Sequence, residues 1–126
     1  MAIARITAKG REKLCKAHAG AITLPKISQM AFGTGGREVD GSMKPILGTE
    51  ETLYNEALRK DIESFTFPSG TTCRYAARVD KLELINVDIT ELGLFDEDGD
   101  LIVYKTCPPK QKDEDEEFVF YTDEIF

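Results

Sequence analysis

The chain has 126 residues, 41% apolar and 31% charged, with a formal net charge of −7 at pH 7. Such a composition reads as a soluble globular chain long enough to bury a core unaided, and its length predicts one domain over residues 1–126. An acidic balance argues against nucleic-acid binding, where neutralised phosphates supply most of the affinity, and the apolar runs are too short to span a bilayer.

Thr7 to Ala19 predicts a first helix, with Thr7 as its cap and Gly20 just past its end. Leu14, Ala17 and Ala21 recur at helical spacing, while Gly10 sits awkwardly in the first turn. The basic residues Lys9, Arg11, Lys13 and Lys16 read as a solvated helix face. Pro25 breaks the chain, and Ile27 to Phe32 alternates as a strand. Residues 33–48 hold five of the ten glycines and predict a long surface loop. Thr49 opens a predicted second helix, with Glu50 and Glu51 in its first turn and an apolar stripe of Leu53, Ala57 and Leu58. That element continues to Lys60 or becomes a strand through Ile62, Phe65 and Phe67, ended by Pro68 and Gly70.

From Thr71 onward the pattern is β. Cys73, Tyr75, Ala77 and Val79 share one face of a strand, opposite Thr72, Arg74, Ala76 and Arg78. Ile89 to Phe95 and Leu101 to Cys107 predict a hairpin around Asp98-Gly99, with positive φ expected at both turn residues. Pro108 and Pro109 close the second of these strands. The charged run KQKDEDEE connects to a last strand, FVFYT. Phe118 and Phe120 then face one side and Val119 and Tyr121 the other, which suits a central or partner-covered strand.

Several chemistries can be weighed on these residues. Counted as a calcium loop from Asp96, the stretch FDEDGDL puts Gly99 at the wrong position and Cys107 where a bidentate Glu belongs, so a turn is favoured. Cys15 and His18 could offer zinc a pair of ligands, but Cys73 and Cys107 do not form a second close pair. MAIARITAKG lacks the apolar core of a secretory signal, so the three cysteines are expected as reduced thiols in a cytosolic setting. FGTGGRE lacks the Lys-Ser/Thr of a phosphate loop, and the sole histidine has no spacing that names a nucleophile. No catalytic residue, cofactor or metal is expected.

Four segments in order carry a resemblance. ITAKGREKLCKA, LPKISQMAFGTGG, TEETLYNEALRKDI and ITELGLFDEDGDLIVY resemble the N-terminal domain of phage tail-collar fibre proteins, over most of residues 3–122. Glu91-Leu92-Gly93-Leu94-Phe95-Asp96 followed by Gly99 and Leu101 is the most specific piece. The family's Gly-Asp-Gly-Gly is Gly33-Thr34-Gly35-Gly36 here. The resemblance implies a non-enzymatic structural component that attaches a tail fibre to the baseplate, with phage tail and baseplate proteins as partners. It also implies a trimer in the full fibre and a place in the virion tail, with the host cytoplasm during assembly. Such fibres continue into a shaft and receptor-binding tip, so the sequence fits a short form or an excised domain, and receptor recognition is not implied. The alternative is a standalone prophage-encoded binding or regulatory module, with a metal-dependent enzyme a distant third. The expected fold is α+β, two short helices packed on a mostly antiparallel sheet or sandwich. Phe118, Phe120, Ile125 and Phe126 are the candidate interface, because an apolar terminus stays ordered only when something holds it; the equal alternative is that Phe118 and Phe120 complete the domain's own core.

Overall fold

The computed structural model describes residues 3–126. Its elements are β1 (Ile3–Ile6), α1 (Ala8–His18), β2 (Ile27–Gly33), β3 (Glu56–Asp61), β4 (Ser64–Ser69), β5 (Thr72–Val79), β6 (Ile89–Asp96), β7 (Leu101–Lys110) and β8 (Phe118–Ile125). They form two antiparallel sheets, one ordered β1-β7-β6-β2-β3 and the other β4-β5-β8.

Two cores flank the larger sheet because side chains alternate across it. Met30, Phe32, Leu92, Leu94 and Val103 pack against Ala77, Val79 and Phe120 of the smaller sheet. Phe32 meets Phe120 edge to face at 5.1 Å, a geometry that adds about 0.5–1.5 kcal/mol to the burial itself. Ala31, Phe95 and Tyr104 point the other way and are covered by Leu53 and Ile46 of the long connection between β2 and β3. Strand β6 is therefore buried on both faces along its whole length.

The first helix forms as expected. Thr7 Oγ1 accepts from Gly10 N–H at 3.1 Å and donates to Leu101 C=O at 2.6 Å, so the cap also ties α1 to β7. Gly10 is explained by that contact, since a Cβ there would stand 2.9 Å from Ile102 and 3.0 Å from Ile6. At the far end Gly20 takes φ +80° and Ala21 N–H donates back to Lys16 C=O.

The second helix does not exist. Glu50 accepts from Leu47 N–H and Gly48 N–H, both at 2.8 Å, which turns the chain back instead of opening a helix. Tyr54 and Asn55 give their N–H groups to Glu91 rather than to a helical turn. Glu56 to Asp61 then pairs with β2 as β3, with Arg59 lying 3.7 Å over the Phe95 ring. The stripe that suggested a helix is split: Leu53 is buried, whereas Ala57 is exposed. The architecture is thus one helix on two antiparallel sheets.

Three smaller corrections concern strands. β1 carries no sequence signal of its own and forms by pairing Ile3–Ile6 with residues 103–106 of β7. β7 runs past Pro108 and Pro109 to Lys110, because a register shift between Ile89 and Glu91 leaves those prolines in a bulge where no ladder N–H is required. In the β6–β7 turn only Gly99 has positive φ, at +83°. Gly99 N–H donates to Asp96 C=O and Asp96 N–H to Asp100 C=O, the geometry of a type I turn closed by a bulged glycine, so Asp98 keeps an ordinary conformation.

Candidate functional site

The carboxylate of Glu91 lies at the centre of the molecule's polar interior. It projects from β6, is fully buried, and accepts four hydrogen bonds. Oε2 takes Gly35 N–H and Asn55 N–H, each at 2.8 Å, and Oε1 takes Tyr54 N–H at 2.9 Å and Tyr104 O–H at 2.8 Å. Thr90 Oγ1 donates to Gly35 C=O at 2.6 Å from the same strand. Burial, reinforced by the Glu91 carboxylate, pushes the Tyr104 phenol well above its ordinary range, so it remains a donor. The glycines beside this carboxylate are needed for close approach. A Cβ on Gly33 or Gly35 would stand 2.5 or 2.6 Å from Glu91 Oε2, and one on Gly36 would stand 2.8 Å from the Tyr104 hydroxyl. Gly36 also holds φ +77°. GTGG is therefore a strap seated on a buried acid, and every lone-pair direction of that acid faces a donor.

A second polar cluster answers the calcium question differently. Asp96, Asp98 and Asp100 converge in the β6–β7 turn, and the ammonium of Lys13 stands among them at 2.6, 3.1 and 2.7 Å. Burial alone would lower the Lys13 pKa; the hydrogen bonds it donates to the three aspartates outweigh that and raise it. The helix residue read as solvated thus pins α1 to the turn, while Lys9 and Lys16 pair with Glu12 on the exposed face as expected.

The sulfur and imidazole groups do not form a centre. Cys15 is exposed and Cys73 and Cys107 are buried, all as free thiols, and His18 lies on the exposed end of α1. Burial pushes the Cys107 thiol up, and its Sγ points at Ile89 C=O at 3.7 Å.

The four residues marked as an interface separate into two pairs. Phe120 is buried against Phe32, and Phe118 is half-buried 5.9 Å from Phe120, so both support the core. Ile125 and Phe126 are 58% and 60% exposed although Phe126 N–H still bonds Thr71 C=O. Strand β8 is not central: it is the edge of the smaller sheet, and Val119 and Tyr121 face outward. Exposed apolar surface extends further than the sequence suggested. Strand β4 is exposed at every residue, with Phe65 59% and Phe67 70% accessible. Phe65, Phe67 and Phe126 line one groove of about 470 Å³ with Leu14, Leu24 and Tyr75, between α1 and the open end of the smaller sheet. No helix is long and apolar enough to cross a membrane among the described residues.

Three of the four segments that carried the family resemblance meet in space at Glu91: the glycine strap, Leu53-Tyr54-Asn55, and the strand ELGLF. Gly93 belongs to the same arrangement, since a Cβ there would stand 2.7 Å from both Leu53 and Leu101. No curated protein and no solved structure matches the chain. The family model of the phage tail-collar fibre protein, N-terminal, matches residues 1–121. With nearly the whole chain matched and three of the matching segments knotted around one carboxylate, the chain belongs to the phage tail-collar fibre family, a structural, non-catalytic family of the virion tail.

Proposed function

We propose that this chain is the part of a tail fibre that holds it to the baseplate. The observation that carries the reading is the exposed apolar surface of β4 and the C-terminal end of β8, where Phe65, Phe67 and Phe126 line one groove and Ile125 is exposed on the other face of β8. Surface of this kind, rimmed by the polar faces of α1 and β5, is what an assembly contact requires, and burying it would supply the attachment energy without chemistry. Of the terminal residues, Ile125 and Phe126 make the contact and Phe118 and Phe120 hold β8 in place beneath them. The same surface suits self-association of the fibre as a trimer, as the family resemblance implies.

Immunogold electron microscopy of tail particles carrying an epitope-tagged chain tests the reading. Gold at the baseplate end of the fibre is expected, and its loss with Ile125→Ser and Phe126→Ser together would place the contact at the C-terminal end of β8. Gold at the distal tip would overturn attachment. A chain found in infected cells but not in particles would favour the standalone prophage-encoded module.

A further inference from the structure

The groove beside β4 has one charged residue out of place. Lys13 and Asp96, which both line it, neutralise each other at 2.6 Å, and Lys26 on its rim stands 3.7 Å from Glu97. Glu124 also lines the groove and is only 7% exposed, yet among the described residues no lysine or arginine lies within ion-pair distance of it. Its neighbours on the inner face of the sheet are Cys73, directly opposite in the register, and Tyr75. Burial holds the Glu124 carboxyl above its usual range, and the Tyr75 phenol pulls only partly the other way. A carboxylate in such a place is costly unless a cation or a strong donor reaches it.

We propose that this groove docks an apolar segment of a partner protein carrying one lysine or arginine, whose cation seats on the Glu124 carboxylate. The walls fit the rest of such a side chain. Leu14, Leu24 and Phe67 offer apolar surface for an aliphatic stem, and Phe65 and Tyr75 offer ring faces against which a cation is favourable. The volume of about 470 Å³ is that of a site for a few side chains, not a whole domain face. The chain's net charge of −7 draws a basic segment toward it over distance, and the buried acid then selects the register in which the cation and apolar residues both fit. An acidic or purely apolar segment would leave Glu124 unpaired or force it to take up a proton, so the groove discriminates by a penalty as well as by a contact.

This inference deepens the attachment reading and rests on it only for which tail protein supplies the segment. The test uses the full chain and two probes that share an alkyl stem, n-octylammonium and n-octanol, titrated by NMR below their aggregation concentrations. The native chain is expected to bind n-octylammonium about tenfold more tightly than n-octanol, with shifts at Leu24, Phe65 and Phe67. Glu124→Gln should remove that preference while leaving n-octanol binding unchanged. Phe67→Ser, at an exposed position that the fold does not need, should weaken both probes alike. Equal binding of the two probes by the native chain, binding of neither, or a preference that survives Glu124→Gln would overturn the proposal. None of those results bears on where gold label sits on tail particles, so the two readings fail separately.

Discussion

Glu91→Gln changes one atom and isolates what the buried carboxylate does. The amide oxygen of the variant takes the Oε2 position, where it still accepts from Gly35 N–H and Asn55 N–H. The amide nitrogen then stands where Oε1 was, facing Tyr54 N–H and Tyr104 O–H. The phenol can turn and accept from it, but the backbone N–H of Tyr54 has no such freedom and loses its partner. One orphaned donor at the edge of the buried region costs about 1–3 kcal/mol, and exchanging a charged acceptor for a neutral one weakens the retained bonds. The sum is about 2–3 kcal/mol, against a total stability of order 5–15 kcal/mol for a domain. Urea denaturation followed by circular dichroism measures the global loss. Hydrogen exchange reads the directional prediction: the Tyr54 amide should exchange roughly 30-fold faster, and the Gly35 and Asn55 amides should change less. Glu91→Ala removes all four bonds at once and should release the 34–55 connection or unfold the chain. An unchanged urea midpoint in Glu91→Gln, or equal loss of protection at the three amides, would refute the idea that directional bonds to this carboxylate shape the loop.

Three further outcomes follow from the same geometry. Lys13→Met strands Asp96, whose side chain is 1% exposed, beside two partly solvated aspartates; the melt should show a loss of about 2–4 kcal/mol, and millimolar calcium should recover part of it in the variant but not in the native chain, where the ammonium already fills the space. A Cβ on Gly99 meets no atom within 4 Å, so the cost of Gly99→Val is chiefly conformational, about 1–3 kcal/mol at φ +83°, and an unmoved melting temperature would sink the turn assignment. Glu124 has a folded pKa raised by burial, so the folded chain binds its proton first as pH falls; the group's stability contribution is complete below the unfolded carboxylate pKa and lost as pH rises through the raised folded value. Glu124→Gln should therefore raise the urea midpoint at neutral pH, with the gain vanishing by about pH 4, and a gap that stays constant with pH would refute it.

Local signals in the sequence predicted those elements whose partners lie nearby or whose pattern is strict. Thr7 and Gly20 bracket α1 because caps act within a turn, and the alternation in TCRYAARV survives because β5 is central in its sheet with one face on the core. The second helix failed because the segment from Thr49 to Lys60 satisfies helical spacing and acidic first-turn preferences equally well. What decides it is the demand of Glu91 for the Tyr54 and Asn55 N–H groups, a contact more than thirty residues away in sequence. β1 was invisible for the same reason: IARI becomes a strand by pairing with β7, a partner about a hundred residues on. At the candidate surface, the apolar terminus was legible, but the sequence left Phe118 and Phe120 open between core and contact. Nothing local distinguishes Phe120, which fills the core, from Phe126, which does not; both lie on the groove side of β8, and only Phe120 stands far enough along the strand to meet Phe32. For Phe65 and Phe67 the sequence offered a strand but no sign that β4 would be an exposed edge.

The disposition of charge bears on what kind of protein this is. A fully buried acid flanked by glycines is a common sign of a catalytic site, where burial is used to keep a carboxyl reactive. Glu91 differs in one respect that decides the matter. Its two oxygens already accept three backbone N–H groups and a phenol, which leaves no lone pair for a substrate proton and no room for a water between strap and strand. The strap's own Cβ-free positions are consumed by that contact, so the glycines do not form an open cradle either. The most distinctive residues of the chain are thus committed to holding a long irregular connection on the outer face of the larger sheet. The surface left with unmet demands is elsewhere, at the open end of the smaller sheet beside α1, where exposed phenylalanines surround an acid with no ion-pair partner among the described residues. In a structural tail component that separation is useful. The internal knot fixes the scaffold through directional bonds, and the groove and β4 edge remain free to vary with the partner, since no residue there is required by the knot.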